Sequence, residues 1–318
     1  MCYKRNPGIA AVAIAILIFT AMSVTGRQKT SRDASVSNRD VTILVTAHPH
    51  NQRTREAALK LKADDFVVRE DKRPQQIISV KRASEVPPIL AVLIQDDLVS
   101  RVNNEIKGLK DFIARLPEGS RVMTAYVTTG TLQITQDFTI DRARAADSLR
   151  IVKSNASSAP YNPYVEVIEA LRRFESQPAA RRIMLLISDG LDTSHGFRSS
   201  SPSLSLDLDR AIQEAQRRGV AVFSFYAPTV SQATVSRMEI NYGQGCLIRL
   251  ADETGGEAFV TGNDFVTFDP YFKEFDDLLG LQWVITYRSS SIGNSFRRIE
   301  VSTEQDVHLH YADGYRPR

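Results

Sequence analysis

"AVLIQDDLVSR", Ala91–Arg101, decides how the rest of the chain is read. Its apolar run is continuous, as expected of a strand buried on both faces of a parallel sheet, and two adjacent acids close it. "LLIS" running into Asp189, and "VAVFSFYA", repeat the pattern downstream. Helical patterns lie between these runs. Val102, Ile106, Leu109, Phe112 and Ile113 recur at spacings of three and four, and "DLDRAIQEAQRRG" ends at Gly219, a helix stop. Strands alternating with helices of about a dozen residues predict an α/β fold over 88–281, with a doubly wound, mostly parallel sheet. Ligands of such sheets bind beyond the carboxyl ends of the strands. Asp96 and Asp189 are therefore the first candidate site residues.

The flanking segments read differently. "DVTILVTAH" alternates, with Val41, Ile43 and Val45 on one face, and "LKADDFVVRED" and "PQQIISVKRA" add two short strands around the turn "EDKRP". Residues 40–84 are expected to be all-β. After Gly280, "QWVITYRS", "FRRIEVST" and "VHLHYA" make 282–318 β-like as well. Each set is too small to stand alone. The two are predicted to pair into one small accessory β subdomain, with the α/β part inserted between its halves.

At the N-terminus, Lys4 and Arg5 precede the apolar run Gly8–Val24, followed by small and then polar residues. Residues 1–26 read as a secretory signal peptide or, at the short limit for a spanning helix, as a membrane anchor; 27–39 read as a linker. Either reading predicts an exported chain, periplasmic or secreted, with residues 8–24 as a membrane tether in the second case. The 318 residues carry 42% apolar and 24% charged side chains and a net charge of +3, ordinary values that exclude bulk disorder and make no case for nucleic acid. The pairs Arg172-Arg173, Arg181-Arg182 and Arg297-Arg298 read as solvated surface. Cleavage of the signal would leave Cys246 alone, an inert, partly buried thiol, and the fold without an internal disulfide.

Taken together, "LKADDFVVRED", "PQQIISV", "QDFTIDRARAADSL", "LLISDGLDTS", "AIQEAQRRGVAVFSF", "LADETGGEAF", "VITYR", "FRRIEV" and the closing "GYR" resemble the von Willebrand factor type A domain in its exported bacterial form. The resemblance spans nearly all of the chain after the signal. It implies a metal-ion-dependent adhesion site: Asp-x-Ser-x-Ser after the first strand, a threonine in a later loop and an aspartate after the fourth strand. Asp96, Ser100 and Asp189 match. Leu98 replaces the first serine, and Asn162 falls where the threonine belongs, so two of the five positions have changed. Asp96, Ser100, Asn162 and Asp189 are thus the expected metal set for Mg²⁺, or Mn²⁺ or Ca²⁺, with binding weak or lost because leucine brings apolar bulk in place of a hydroxyl. Without an ion the carboxylates repel one another, and Arg101 is the expected substitute for the missing charge. Asp97, Arg101, Asp192 and His195 are assigned to partner contact at the top face, although the plain reading of Asp97, Asp192 and His195 is solvated loop.

If the early and late strands pair, His48 and His50 approach His308 and His310, a candidate zinc or copper set against the plainer reading of separate surface pairs. No nucleophile elbow or phosphate-binding glycine loop is present, and "DDLVS" lacks the second acid two positions after the first that a phosphatase-like aspartate pair would want. The expected function is non-catalytic: an exported recognition protein that binds another, extracytoplasmic protein at the top face, with no small-molecule substrate evident. The alternatives are an assembly subunit of a cell-envelope complex and, more weakly, a metal-dependent hydrolase working through the two aspartates.

Overall fold

The three continuous apolar runs lie side by side at the centre of the molecule, where each strand must present side chains to two cores. The computed structural model describes residues 39–49, 51–155, 162–194, 196, 200–229, 236–260 and 267–317; the expected signal or anchor, His50 and His195 lie outside them. Residues 36–318 form one compact unit.

The chain enters through β1 (Arg39–His48), α1 (Gln52–Lys60), β2 (Val67–Glu70), β3 (Arg73–Pro74) and β4 (Gln76–Arg82). The α/β part follows: β5 (Ile89–Gln95), α2 (Ile106–Arg115), β6 (Arg121–Thr128), β7 (Thr131–Thr139), α3 (Arg142–Asp147), α4 (Pro163–Arg173), β8 (Arg182–Ser188), α5 (Leu206–Arg218), β9 (Val220–Tyr226), α6 (Arg237–Thr254), β10 (Ala258–Phe259) and α7 (Asp269–Gly280). It leaves through β11 (Gln282–Ser289), β12 (Arg297–Ser302), β13 (His308–Tyr311) and β14 (Gly314–Tyr315).

The central sheet has the order β10-β9-β8-β5-β6-β7 and is parallel except for β7, which returns antiparallel on β6. Alternate residues of the apolar runs serve opposite faces. Leu90, Val92 and Ile94 of β5 pack with Phe112 of α2, Leu149 and Phe275 of α7; Ile89, Ala91 and Leu93 pack with Val167 of α4, Ile212 of α5 and Leu247 of α6. This two-sided burial is why the runs are almost wholly apolar, with Ser224 of β9 the one small polar residue inside them.

The flanking β segments pair with each other as the sequence implied. β1 lies between β11 and β13, with β4 beyond β11, and a second sheet runs β14-β12-β2-β3. Their shared core holds Val45, Phe66, Val68, Trp283, Ile285 and Tyr287. At its centre Glu70 is fully buried, and its carboxylate accepts hydrogen bonds from Tyr287 Oη at 2.8 Å, Ser289 Oγ at 2.9 Å and Tyr315 Oη at 3.0 Å. Residues from β2, β11 and β14 thereby meet on one group.

Three expectations need correction. The leading segment is not all-β: α1 forms because Asn51 and Thr54 make a reciprocal capping box, with Thr54 N donating to Asn51 Oδ1 at 2.9 Å. Arg181 and Arg182 are not solvated. Both are buried, where Arg181 Nε donates to Gln282 Oε1 at 2.7 Å and Arg182 Nη1 donates to the Arg218 carbonyl at 2.7 Å. They close strand and helix ends whose carbonyls would otherwise be orphaned. The histidines do meet in part, since β1–β13 pairing sets His48 opposite His308 with ring centroids 6.5 Å apart. Each nevertheless has its own use: His48 Nε2 bonds Glu257 at 2.7 Å and His310 Nε2 donates to the Gly256 carbonyl at 2.7 Å. Among the described residues no group of three or more His, Cys, Asp or Glu is arranged to hold a metal.

Removing the Glu70 carboxylate leaves three buried or half-buried hydroxyls without their acceptor. Glu70→Ala should therefore cost about 2–4 kcal/mol, read as a lower midpoint in urea unfolding. An unchanged midpoint would show that the accessory sheets do not depend on this group.

Candidate functional site

Strand β5 ends at Gln95 and β8 at Ser188, and their neighbouring positions in the sheet bring the following acids to one edge. Asp96 and Asp189 are both nearly inaccessible, at 5% and 4% exposure. Gln95 ties the two strand ends together. Its Oε1 accepts from Ser188 Oγ at 2.6 Å and from Asp189 N at 3.1 Å, and its Nε2 donates to Asp97 Oδ1 at 2.9 Å.

Asp96 is occupied on both carboxylate oxygens. Arg150 reaches it as a fork, Nη1 to Oδ1 at 2.6 Å and Nη2 to Oδ2 at 3.0 Å. Lys153 adds its backbone N–H to Oδ1 at 3.1 Å and its ammonium to Oδ2 at 3.2 Å. Arg150 is itself pinned: its guanidinium lies 3.8 Å over the Tyr126 ring, Nη2 also donates to Gln133 Oε1 at 3.0 Å, and its N–H donates to Tyr126 Oη at 2.8 Å. Burial alone pushes the Asp96 carboxyl up, but the Arg150 and Lys153 hydrogen bonds and the Arg150 charge outweigh it and hold it below the usual range. The charge beside Asp96 thus comes from Arg150 and Lys153. Arg101, the expected source, is exposed at the start of a 3₁₀ turn, Ser100–Glu105.

Asp189 is handled differently. Its Oδ1 accepts from Leu191 N at 3.0 Å, and burial, reinforced by the Asp97 charge, pushes its carboxyl up to about 7. Asp97, half-buried, is also raised, first by burial and then by the Asp96 charge. The turn carrying Asp189 is clamped by glycines. Gly190 has φ +71°, and a Cβ on Gly243 of α6 would stand 2.2 Å from the Asp189 carbonyl.

The remaining expected residues are dispersed among other tasks. Leu98 is fully buried in the core with Val102 and Ile106. Ser100 is exposed. Asn162 caps α4, accepting from Tyr164 N at 3.1 Å through Oδ1 and donating to Asp207 Oδ2 at 2.7 Å. Asp192 is no solvated loop acid: at 4% exposure its Oδ1 accepts from Ser194 N at 2.9 Å and Ser194 Oγ at 2.6 Å, organising the loop beyond β8. Cys246 is wholly buried, and burial pushes its thiol up to about 12, which makes it inert.

These residues do not fit a hard divalent ion. A cation would have to displace a guanidinium from Asp96, pull Asn162 from its helix cap and deprotonate Asp189, with no hydroxyl at Leu98 to complete the shell. Sequence reading missed Arg150 and Lys153 because they lie more than fifty positions from Asp96, in "RIVK" beyond α3; the unexplained pair of cations there was the available signal.

Two outcomes follow. Arg150→Met should cost about 2 kcal/mol, the loss of a partner to a buried carboxylate discounted for the partial exposure of Arg150. Adding Asp96→Asn should recover most of it, and a double-mutant cycle by chemical unfolding checks this. For Asp189, the unfolded carboxyl ionises near pH 4 while the folded one holds its proton to about 7, so wild-type stability falls as pH rises through that window. Asp189→Asn keeps the acceptor for Leu191 and should raise the melting temperature at pH 8, with the gain shrinking to nothing near pH 4. A gain independent of pH would show that Asp189 is not protonated by burial.

No family model and no curated protein matches this sequence. Solved structures resemble it at low identity. An aerotolerance-related membrane protein from Bacteroides fragilis, carrying multiple mutations to serines, is 12% identical over 61% of this chain and 98% of its own, with a TM-score of 0.43. BatB from Bacteroides thetaiotaomicron is 16% identical over 62% of this chain and 98% of its own, also at 0.43. A von Willebrand factor type A protein from Catenulispora acidiphila is 12% identical over 89% of this chain and 74% of its own, again at 0.43. The α/β part of this chain is a six-stranded sheet, parallel except for its third strand in sequence, which runs antiparallel at one edge.

Proposed function

We propose that this chain is a non-catalytic recognition protein that binds another protein at the carboxyl edge of its central sheet without a divalent ion. The observation that carries the reading is the bidentate Asp96–Arg150 pair, backed by Lys153. A bound ion would leave a coordination position for a partner's carboxylate; a guanidinium already forked onto Asp96 and bonded to Gln133 does not. Contact then falls to the groups left outward: Arg101 and Ser100, both exposed, and the Lys153 ammonium, 58% exposed. Arg101, Arg150 and Lys153 outnumber the charges of Asp96 and the half-buried Asp97, and Asp189 is held protonated below about pH 7, so this rim is net cationic and the partner surface is acidic. The same groups count against the hydrolase alternative, since neither aspartate is free to activate water. Location at the cell envelope is part of the proposal and rests on the apolar run Gly8–Val24.

Two measurements test it. Titration with Mg²⁺ or Mn²⁺ should leave the melting temperature unchanged. Photo-crosslinking from position 100 in the protein's own cells should give one partner band that survives chelator and is lost in Arg101→Glu/Lys153→Glu. A band that disappears in chelator would overturn the metal-free reading. A band that persists in the charge-reversed variant would place contact elsewhere and favour an assembly subunit whose α/β part serves as scaffold.

A further inference from the structure

The opposite end of the sheet carries a cleft unrelated to the aspartates. Its walls are β1 (Arg39–Leu44), the starts of β8 and β9, the end of α5 and the last described residues, Ala312 to Pro317. It encloses about 500 Å³, within the range of small-ligand sites. Arg182, Val220 and Ala221 stand at the amino ends of their strands, so the whole sheet separates this cleft from Asp96 and Asp189.

The charge lining it is one-sided. Five lining residues are arginines and one, Asp40, is acidic. Asp40 is turned to Arg288, with its Oδ1 3.2 Å from Nε. Three of the arginines are committed to the protein. Arg182 bonds main-chain carbonyls, Arg217 pairs with Glu214 at 2.6 Å, and Arg218 pairs with Glu214 at 2.5 Å and Glu175 at 3.2 Å. Arg39 and Arg316 have no hydrogen-bond or ion-pair partner among the described residues, and Arg39 Nη1 is shielded from solvent without an acceptor. A shielded cationic nitrogen without an acceptor costs stability unless an anion satisfies it. Apolar surface completes the lining: Val41, Ile43, Ala180, Val220, Ile299 and Pro317.

We infer that this cleft binds a small amphipathic organic anion, its carboxylate or phosphate head on Arg39 and Arg316 and its apolar body against Ile43, Ala180 and Val220. A guanidinium accepts either head as a fork, so the two are distinguished by experiment. The site is separate from the proposed protein contact, and the inference does not depend on that reading.

The full-length chain is titrated calorimetrically with octanoate and octyl phosphate, and with octanol and octylammonium as uncharged and cationic controls. At least one anion should bind saturably, and the tighter of the two identifies the head. Octylammonium should not bind. Arg39→Gln/Arg316→Gln should weaken the anions at least tenfold and leave octanol unchanged, and Ala180→Trp should weaken every probe by filling the cleft. Melting curves of both variants establish that they are folded. Absence of saturable anion binding, equal binding of octylammonium, or anion affinity unchanged in either folded variant would overturn the inference.

Discussion

A carboxylate withdrawn from water must be compensated on the spot, and Asp96, Asp189 and Glu70 show three ways of doing so. Ionised and alone, such a group costs several kcal/mol. Asp96 is met by a guanidinium and an ammonium. Asp189 retains a proton, its carboxyl raised to about 7. Glu70 receives three hydroxyl donors. The first two solutions sit side by side at one edge of the sheet, where neighbouring strands end, and Gln95 bonds to both strand ends. Supplying a fixed cation to one aspartate and a proton to the other removes most of the repulsion that would otherwise open this edge.

The accessory sheets are governed by the same constraint at a different place. Two short β segments, separated by the whole α/β part, bury a common core only when β1 lies between β11 and β13. Glu70 then lies where β2, β11 and β14 converge, so its polar centre requires all three strands to be in register. Arg181 works at the adjoining junction, with its Nε on Gln282 at the start of β11 and its Nη1 on the Ala83 carbonyl at 3.3 Å. Burial of that guanidinium among neutral acceptors is costly, which makes the junction between the two parts specific as well as apolar.

The central architecture was legible because it is written in local pattern. Runs such as "ILAVLIQ" and "RIMLLIS" have room for no other element than a doubly buried strand, and the acids that end them mark the sheet edge directly. What was not legible depends on long-range partnership. Arg150 reads as one arginine among many until folding sets it over Tyr126 and against Asp96. Arg181 and Arg182 look solvated because composition carries no information about which carbonyls need donors. Helix α1 was hidden by its polarity, since only Thr54 and Ala58 of it are buried, and the Asn51–Thr54 box was its sole local sign. Gly243, within "NYGQG", is required by the close approach of the Asp189 turn, a contact that local pattern does not show.

Substituting a side chain for an ion changes more than affinity. A metal ion is exchangeable, so a site built on one can be emptied, refilled or shared with a partner's carboxylate, and its charge depends on supply. Arg150 is always present and always charged, and its two fork nitrogens are already on Asp96. Its planar group offers directional donors, so it fixes the Asp96 loop in one geometry where an ion would tolerate several. The edge of the sheet is thereby held in a single arrangement whether or not anything is bound. Under the proposed metal-free recognition, contact at this edge depends on shape and on the exposed cations around it, which argues for rigid docking instead of the ligand-driven rearrangement that an exchangeable centre permits.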